Sequence, residues 1–463
     1  MAVVQTEKTL SPFSRRAEFK QIAIIALPLI AAQVLQVGMG VIDTVMAGRI
    51  DALSIAAIAM GASIWFFVMI FGMGIMFALT PIISQHIGAN NHPLIREELR
   101  QGLWLGLATG LIVILLILSL AQAMPTLGVD AEIIPAAHDY IYWVCWSLPF
   151  SLLYLVPRSF NEANSNTMPM LWIQLSLMPI NILGNYIFMY GNFGFPAMGA
   201  SGAALATGIS QMLGCLALFT YTIWTPQFQE YDLKKRMTPP DWTHIWQTLK
   251  LGTPIAITMG MESGLFTVTA LLIGRFGVDA AAGHQIAINI VSLTFMVPLG
   301  VSMALTVRVG QAVGAKQFFQ ARKRSKLGIV LCGLLTMISA TCFWLFGSWL
   351  AGLYTNDQAV ITIASQLLIM AALFQIVDGF QIGAVGVLRG YKDTTVPMIT
   401  SIICYWGVGM GTGVWLGIFG TMGPSGLWAG LVAGLFTAAV ILNMRFHYLT
   451  RDAQDTITTP LDH

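Results

Sequence analysis

Long apolar stretches recur along this chain, separated by short polar breaks. A helix needs about 20 apolar residues to cross the hydrocarbon of a bilayer. Read this way, the pattern predicts spans near residues 20–43, 53–83, 102–123, 134–156, 168–190 and 200–224. A second set falls near 246–272, 281–307, 327–349, 360–388, 396–418 and 425–446. The expectation is an all-α integral membrane protein with twelve transmembrane helices. One longer polar segment, 225–245, is rich in proline and charge and reads as a cytoplasmic linker. It separates an N-lobe, residues 1–224 with helices 1–6, from a C-lobe and tail, residues 246–463 with helices 7–12.

The two halves read alike at a spacing of 226 residues, as Pro254 minus Pro28 shows. At that spacing Gly48-Arg49 matches Gly274-Arg275, and Ala78-Leu79-Thr80 matches Ala304-Leu305-Thr306. Gln85, Gly88-Ala89, Arg96 and Gly102 match Gln311, Gly314-Ala315, Arg322 and Gly328. Later echoes pair Thr167, Pro169 and Met170 with Thr395, Pro397 and Met398, and Met198-Gly199 with Met422-Gly423. Six spans per half is an even number, so both halves enter the membrane in the same direction. The repeats are parallel, about an axis along the membrane normal, an internal symmetry found in secondary transporters.

Charge confirms the count. Of 23 Lys and Arg residues, all but Arg49 and Arg275 fall in segments that twelve spans place on one side. The positive-inside rule makes that side cytoplasmic, with both termini there. A missed helix would invert every later loop and scramble the asymmetry.

Composition narrows the class. Hydrophobic residues make up 56% of the chain and charged ones 10%, against about 25% in a soluble domain. A net charge of +2 and the absence of a basic stripe give no sign of a nucleic-acid partner. Nothing points to an obligate protein partner. The five cysteines all sit in apolar runs and read as small buried hydrophobes. The polar start, with Lys8, Arg15, Arg16 and Lys20, precedes an apolar run longer than a signal-peptide core, which is expected to stay as the first span. No GxxxxGK[ST] loop, dinucleotide fold context or catalytic metal spacing is present, so neither an enzyme nor a nucleotide motor is expected.

Three carboxylates fall inside spans: Asp43, Glu262 and Asp378. Each is costly in the membrane unless it pairs, protonates or faces water. No Lys or Arg lies mid-span to neutralise them. Asp43 marks either the outer end of helix 1 or a functional site. Glu262 is either a protonated group bonded to neighbours such as Ser263, or a ligand. An acidic cavity without bases attracts cations, and carboxylate, amide and hydroxyl oxygens are the hard ligands that Na⁺ would use. Phe374, one turn before Asp378, is placed to face a held cation or simply to pack. Gln285, beside His284, is a further candidate ligand. Pro28, Pro254 and Pro298 are expected bending points.

Four segments carry a family resemblance: VIDTVMAGRI at 41–50, GMESGLF at 260–266, AAGHQIAINI at 281–290 and VDGFQIGAVGVLRGYKDTTVPM at 377–398. The chain resembles the multidrug and toxic compound extrusion (MATE) family, within it the bacterial NorM-type branch. That resemblance implies a two-lobed bundle in the bacterial inner membrane that opens to one side at a time. It implies export of cationic lipophilic compounds in antiport with Na⁺ or H⁺, with no cofactor beyond the coupling ion. By similarity, Glu262 and Asp378 are the cation-coupling carboxylates and the metal ligands if Na⁺ is the ion. Asp43 and Asp357 are implied substrate-binding positions. Relatives often carry tyrosine where Phe374 stands. A rival reading is a flippase for a lipid-linked saccharide on a related fold, but its cavity should carry Arg or Lys for phosphates.

Overall fold

The computed structural model describes residues 14–127 and 131–451. The two tails, Lys8 among them, lie outside the described residues. Among those residues twelve helices are long and apolar enough to cross a membrane. They are α1 (Arg15–Ala47), α2 (Leu53–Gly88), α3 (His92–Gln122), α4 (Ile133–Ala163), α5 (Met168–Phe188) and α6 (Ala200–Trp224). The second six are α7 (Trp242–Phe276), α8 (Val278–Gly314), α9 (Phe318–Gly352), α10 (Gln358–Gly390), α11 (Thr395–Phe419) and α12 (Pro424–Leu449).

Each expected span is present, and several run further than hydropathy indicated. Helix α3 starts at His92, where the Asn91 side chain accepts from Leu94 N, and α7 starts at Trp242, where Asp241 accepts from Thr243 N. Capped polar turns extend these helices beyond the apolar layer. The linker is correspondingly shorter than 225–245, and it is fastened to α3. Trp104 Nε1 donates to Thr238 O at 3.0 Å, and Gln101 Nε2 donates to Pro239 O at 2.9 Å.

Pro28, Pro254 and Pro298 lie inside α1, α7 and α8, and each of these helices continues past its proline. The interruptions lie elsewhere. Helix α2 breaks at Phe77–Ala78 and α4 at Trp146–Ser147, shortly before Pro81 and Pro149. Proline has no N–H to bond the carbonyl four residues back and its ring crowds that carbonyl, here Phe77 and Cys145, so the ladder opens just there. Helix α11 widens into π-helix over Ile402–Met410 and Trp415–Phe419.

Two of the cores lie mainly within one half each, while a third joins Ile25 and Leu29 of α1 to Leu305 of α8 and Leu388 of α10. One cluster draws on Met69, Leu148, Leu152 and Phe160, another on Leu265, Leu368, Phe374 and Trp428. Turn geometry repeats as well: Gly199 and Gly423, which precede α6 and α12, both have φ of 56°. With ψ near −130° this backbone is open essentially to glycine alone.

The lobes meet at the end that carries most of the Lys and Arg, termed here the basic end. Gly74 of α2 lies against Ala256 of α7, and its repeat partner Gly300 of α8 lies against Ile30 of α1. Nearer the basic end, Gly88 meets the Gln311 backbone and Gly314 meets that of Gln85. A Cβ at any of the four would collide, so glycine lets the lobes close. In the opposite half of α1, Gly38 and Gly40 face open space. The molecule is sealed at its basic end and parted at the other.

Candidate functional site

The parted half contains a cavity of about 610 Å³ between the lobes. Its walls are mainly apolar, with Phe67 from α2, Phe266 from α7, Phe295 from α8 and Phe374 from α10. Glu262 and Asp378 also line it, so the sequence-derived pair comes together at one site. The two are close enough to act on each other electrostatically.

Asp378 is 1% exposed, and its Oδ2 has no hydrogen-bond partner among the described residues. One turn earlier, Gln375 donates from Nε2 to Thr294 Oγ1 at 2.7 Å, which leaves its Oε1 buried and unpartnered. Buried polar atoms are rarely left unsatisfied, and two oxygens in one lobe match the needs of a hard cation or a proton. Among the described residues no group of three or more His, Cys, Asp or Glu gathers for a transition metal. Gln381 donates to Tyr405 Oη at 2.7 Å on the π-helical part of α11. Wide π-turns recur at functional sites. Phe374 packs edge-on against Phe266 and Trp428, with centroids 5.9 and 6.2 Å apart. Its ring is fixed by packing and still borders the cavity.

One expectation changes in the structure. No base lies mid-span, but Arg389 at the basic end of α10 turns inward, and its charge reaches Glu262 and Tyr405. The carboxylates therefore have a distant counter-charge on one side.

Asp43 lies four residues before the end of α1, and it is not left free there. It points into the N-lobe, where Asn185 Nδ2 donates to Oδ1 at 2.6 Å and Thr207 Oγ1 donates to Oδ2 at 3.0 Å. Asn181 donates to Thr207 Oγ1 at 3.2 Å and completes the cluster. The remaining candidates are not brought to the cavity. Gln285 is exposed and donates to Asn289 along α8. Asp357 is exposed and caps α10, accepting from Ala359 N at 2.9 Å. His284 accepts from Trp428 Nε1 at 3.2 Å and serves packing between α8 and α12.

The MatE family model matches residues 28–187 and again 254–415, with starts separated by the same 226 residues as the internal repeat. The chain belongs to the MatE family. Similar proteins include a probable multidrug resistance protein NorM of Idiomarina loihiensis, 38% identical over 95% of this chain and 96% of that one. The multidrug resistance protein MdtK of Yersinia pseudotuberculosis is 35% identical, over 94% of this chain and 96% of its own. The fold of this MatE protein resembles that of a Vibrio cholerae MATE transporter solved in a bent form. That match has a TM-score of 0.83 at 20% identity and covers 95% and 98% of the two chains.

Sequence reasoning missed Asn181, Asn185 and Thr207 around Asp43, and Gln375 and Tyr405 around Asp378. A signal was present: Asn181 and Asn185 are four apart in an apolar span, and membrane-buried amides usually seek a partner.

Proposed function

We propose that this MatE protein is a secondary active multidrug exporter that moves cationic lipophilic compounds outward in antiport with Na⁺ or H⁺. The observation that carries this reading is the pairing of Glu262 and Asp378 in a cavity walled by aromatic rings. Rings receive the lipophilic part of a substrate, and the carboxylates attract either its charge or the coupling cation. Names borne by its relatives, NorM and MdtK multidrug resistance proteins, support the same reading.

By the positive-inside rule the basic end faces the cytoplasm, in a bacterial inner membrane, so the present state is outward-facing. Asp43, held by Asn185 and Thr207 in the other lobe, serves the exported cation, while Glu262 and Asp378 serve the coupling ion. An acidic cavity opposes the flippase alternative, because a lipid phosphate would meet like charge.

Export against a gradient then draws on an ion gradient, each charge gaining about 2.3 kcal/mol per 100 mV. Efflux of a fluorescent cationic dye from cells tests this. Collapsing the Na⁺ and proton gradients together stops efflux even with ATP plentiful. Efflux that continues at its former rate under those conditions contradicts the proposal.

A further inference from the structure

At the basic end, two buried glutamates of the N-lobe each meet a base of the C-lobe. Glu18 of α1 is 3% exposed and is gripped by Arg308 of α8, Nε to Oε1 at 2.8 Å and Nη2 to Oε2 at 2.7 Å. Arg324 Nε of α9 lies 3.2 Å from the same Oε2. Glu98 of α3, 2% exposed, has its Oε1 2.8 Å from Nδ1 of His244 on α7.

These contacts are images of each other under the internal repeat. Adding 226 to Glu98 gives Arg324, and adding it to Glu18 gives His244. The α3–α7 contact thus maps onto the α9–α1 contact, with acid and base exchanged at both positions: Glu98 onto Arg324, and His244 onto Glu18. Between them run two further repeat-related bonds that cross the lobes, Gln85 Nε2 to Gly390 O at 2.9 Å and Gln311 Nε2 to Ala163 O at 2.8 Å.

The two glutamate contacts differ in chemistry. Arginine stays charged at any physiological pH, so the strength of the Glu18 contact does not change with pH. Histidine changes charge in the neutral range. Glu98 Oε2 is buried with no hydrogen-bond partner, so this acid depends on His244 for compensation. A buried carboxylate facing a neutral ring is poorly offset, whereas facing an imidazolium it is well offset.

Other charged groups surround the pair. His86 Nε2 of α2 lies 3.9 Å from Glu98 Oε1, and Asp241 Oδ2 lies 4.0 Å from His244 Nε2. Glu97 acts on His244 and is itself 3.7 Å from Arg100. Lys392, after α10, acts on Glu98 and His86. Burial lowers the Lys392 ammonium pKa, and Glu98 opposes that shift. His244 and His86 are both about one-fifth exposed, so protons reach them from the basic end.

We propose that Glu18 with Arg308 and Arg324, and Glu98 with His244, are the two latches of a cytoplasmic gate, and that His244 makes the second latch respond to cytoplasmic pH. The proposal rests on the reading of this chain as an alternating-access transporter. Only the closed gate sets a charged ring at His244 directly against the buried Glu98 carboxylate. By linkage, acid therefore holds the cytoplasmic side shut, and rising pH frees it to open.

Spin labels on Pro93→Cys at the start of α3 and Phe318→Cys at the start of α9 report the gate directly, in a cysteine-free background and without substrate. Both sites are exposed. Between about pH 6 and about pH 8, on either side of ordinary imidazole titration, the closed-to-open ratio falls at least about fivefold. His244→Arg stays closed at both pH values, and His244→Gln, neutral at both, loses the response. His86→Gln retains the response. A wild-type distance unchanged with pH, or a response surviving His244→Gln, overturns the proposal. So does a response that disappears in His86→Gln instead. The labels read the gate alone, so a failure of the transport reading shows separately, as absent dye efflux from a protein whose gate still moves.

Discussion

Asn185 donates to Asp43 Oδ1 at 2.6 Å, and the bond joins α5 to α1 inside the N-lobe. Its counterpart on the other oxygen comes from Thr207 of α6. Three helices therefore converge on one carboxylate, at a place where the C-lobe repeat has Thr269 instead.

This arrangement predicts a charge-selective defect. Asp43→Asn weakens binding of cationic dyes by roughly tenfold or more, equivalent to about 1.4 kcal/mol, because a Coulomb partner is lost in a low-dielectric setting. Neutral dyes of similar size lose less than about threefold on the same scale. Dye titration by fluorescence polarisation checks this, and equal losses for both classes would return Asp43 to a packing role.

Asp357 separates the two sources of expectation. Similarity places it at a substrate contact, whereas the structure makes it the N-cap of α10. Asp357→Ala is expected to lower stability by about 0.5–2 kcal/mol, as lost caps do, and to leave dye affinity unchanged. A melting curve alongside a binding titration decides between them.

Much of the fold was legible in the sequence, because bilayer thickness converts apolar length directly into spans and the repeat fixes their pairing. Helix ends were less so. Hydropathy stops where the apolar layer stops, while Asn91 and Asp241 carry their helices further. The carboxylates Glu262 and Asp378 stood out because charge is rare in spans. Their neutral companions did not, since Gln375 or Tyr405 can face any direction and the side-chain bearing appears only in three dimensions. Arg389 was readable as a basic-end residue, but its inward turn toward Glu262 was not.

The inter-repeat glycine turn gives a stability test. Gly423→Ala forces a side chain into a conformation with φ of 56°, at a cost of about 1–3 kcal/mol. Gly199→Ala costs a similar amount, because the repeat builds the same turn. Gly274→Ala, in helical conformation with open space around a new Cβ, changes stability by less than about 0.5 kcal/mol. Thermal unfolding in detergent ranks the three.

Trp428 tests the packing behind the site. It is fully buried and donates to His284 Nδ1. Trp428→Phe keeps much of the ring volume but leaves the imidazole without that donor. The expected loss of stability is about 1–3 kcal/mol, the usual cost of a stranded buried polar group. An unchanged melting temperature would show that His284 finds another partner.

The central claim is that Glu262 and Asp378 couple an ion gradient to export through the cavity they line. Transport of a cationic dye into inside-out proteoliposomes, with Na⁺ and pH gradients imposed separately, tests it most directly. The account predicts uptake against a dye gradient under at least one of the two, and background uptake for both Glu262→Gln and Asp378→Asn despite intact folding. Normal gradient-driven uptake by both variants, or wild-type uptake against a dye gradient without any ion gradient, would contradict it.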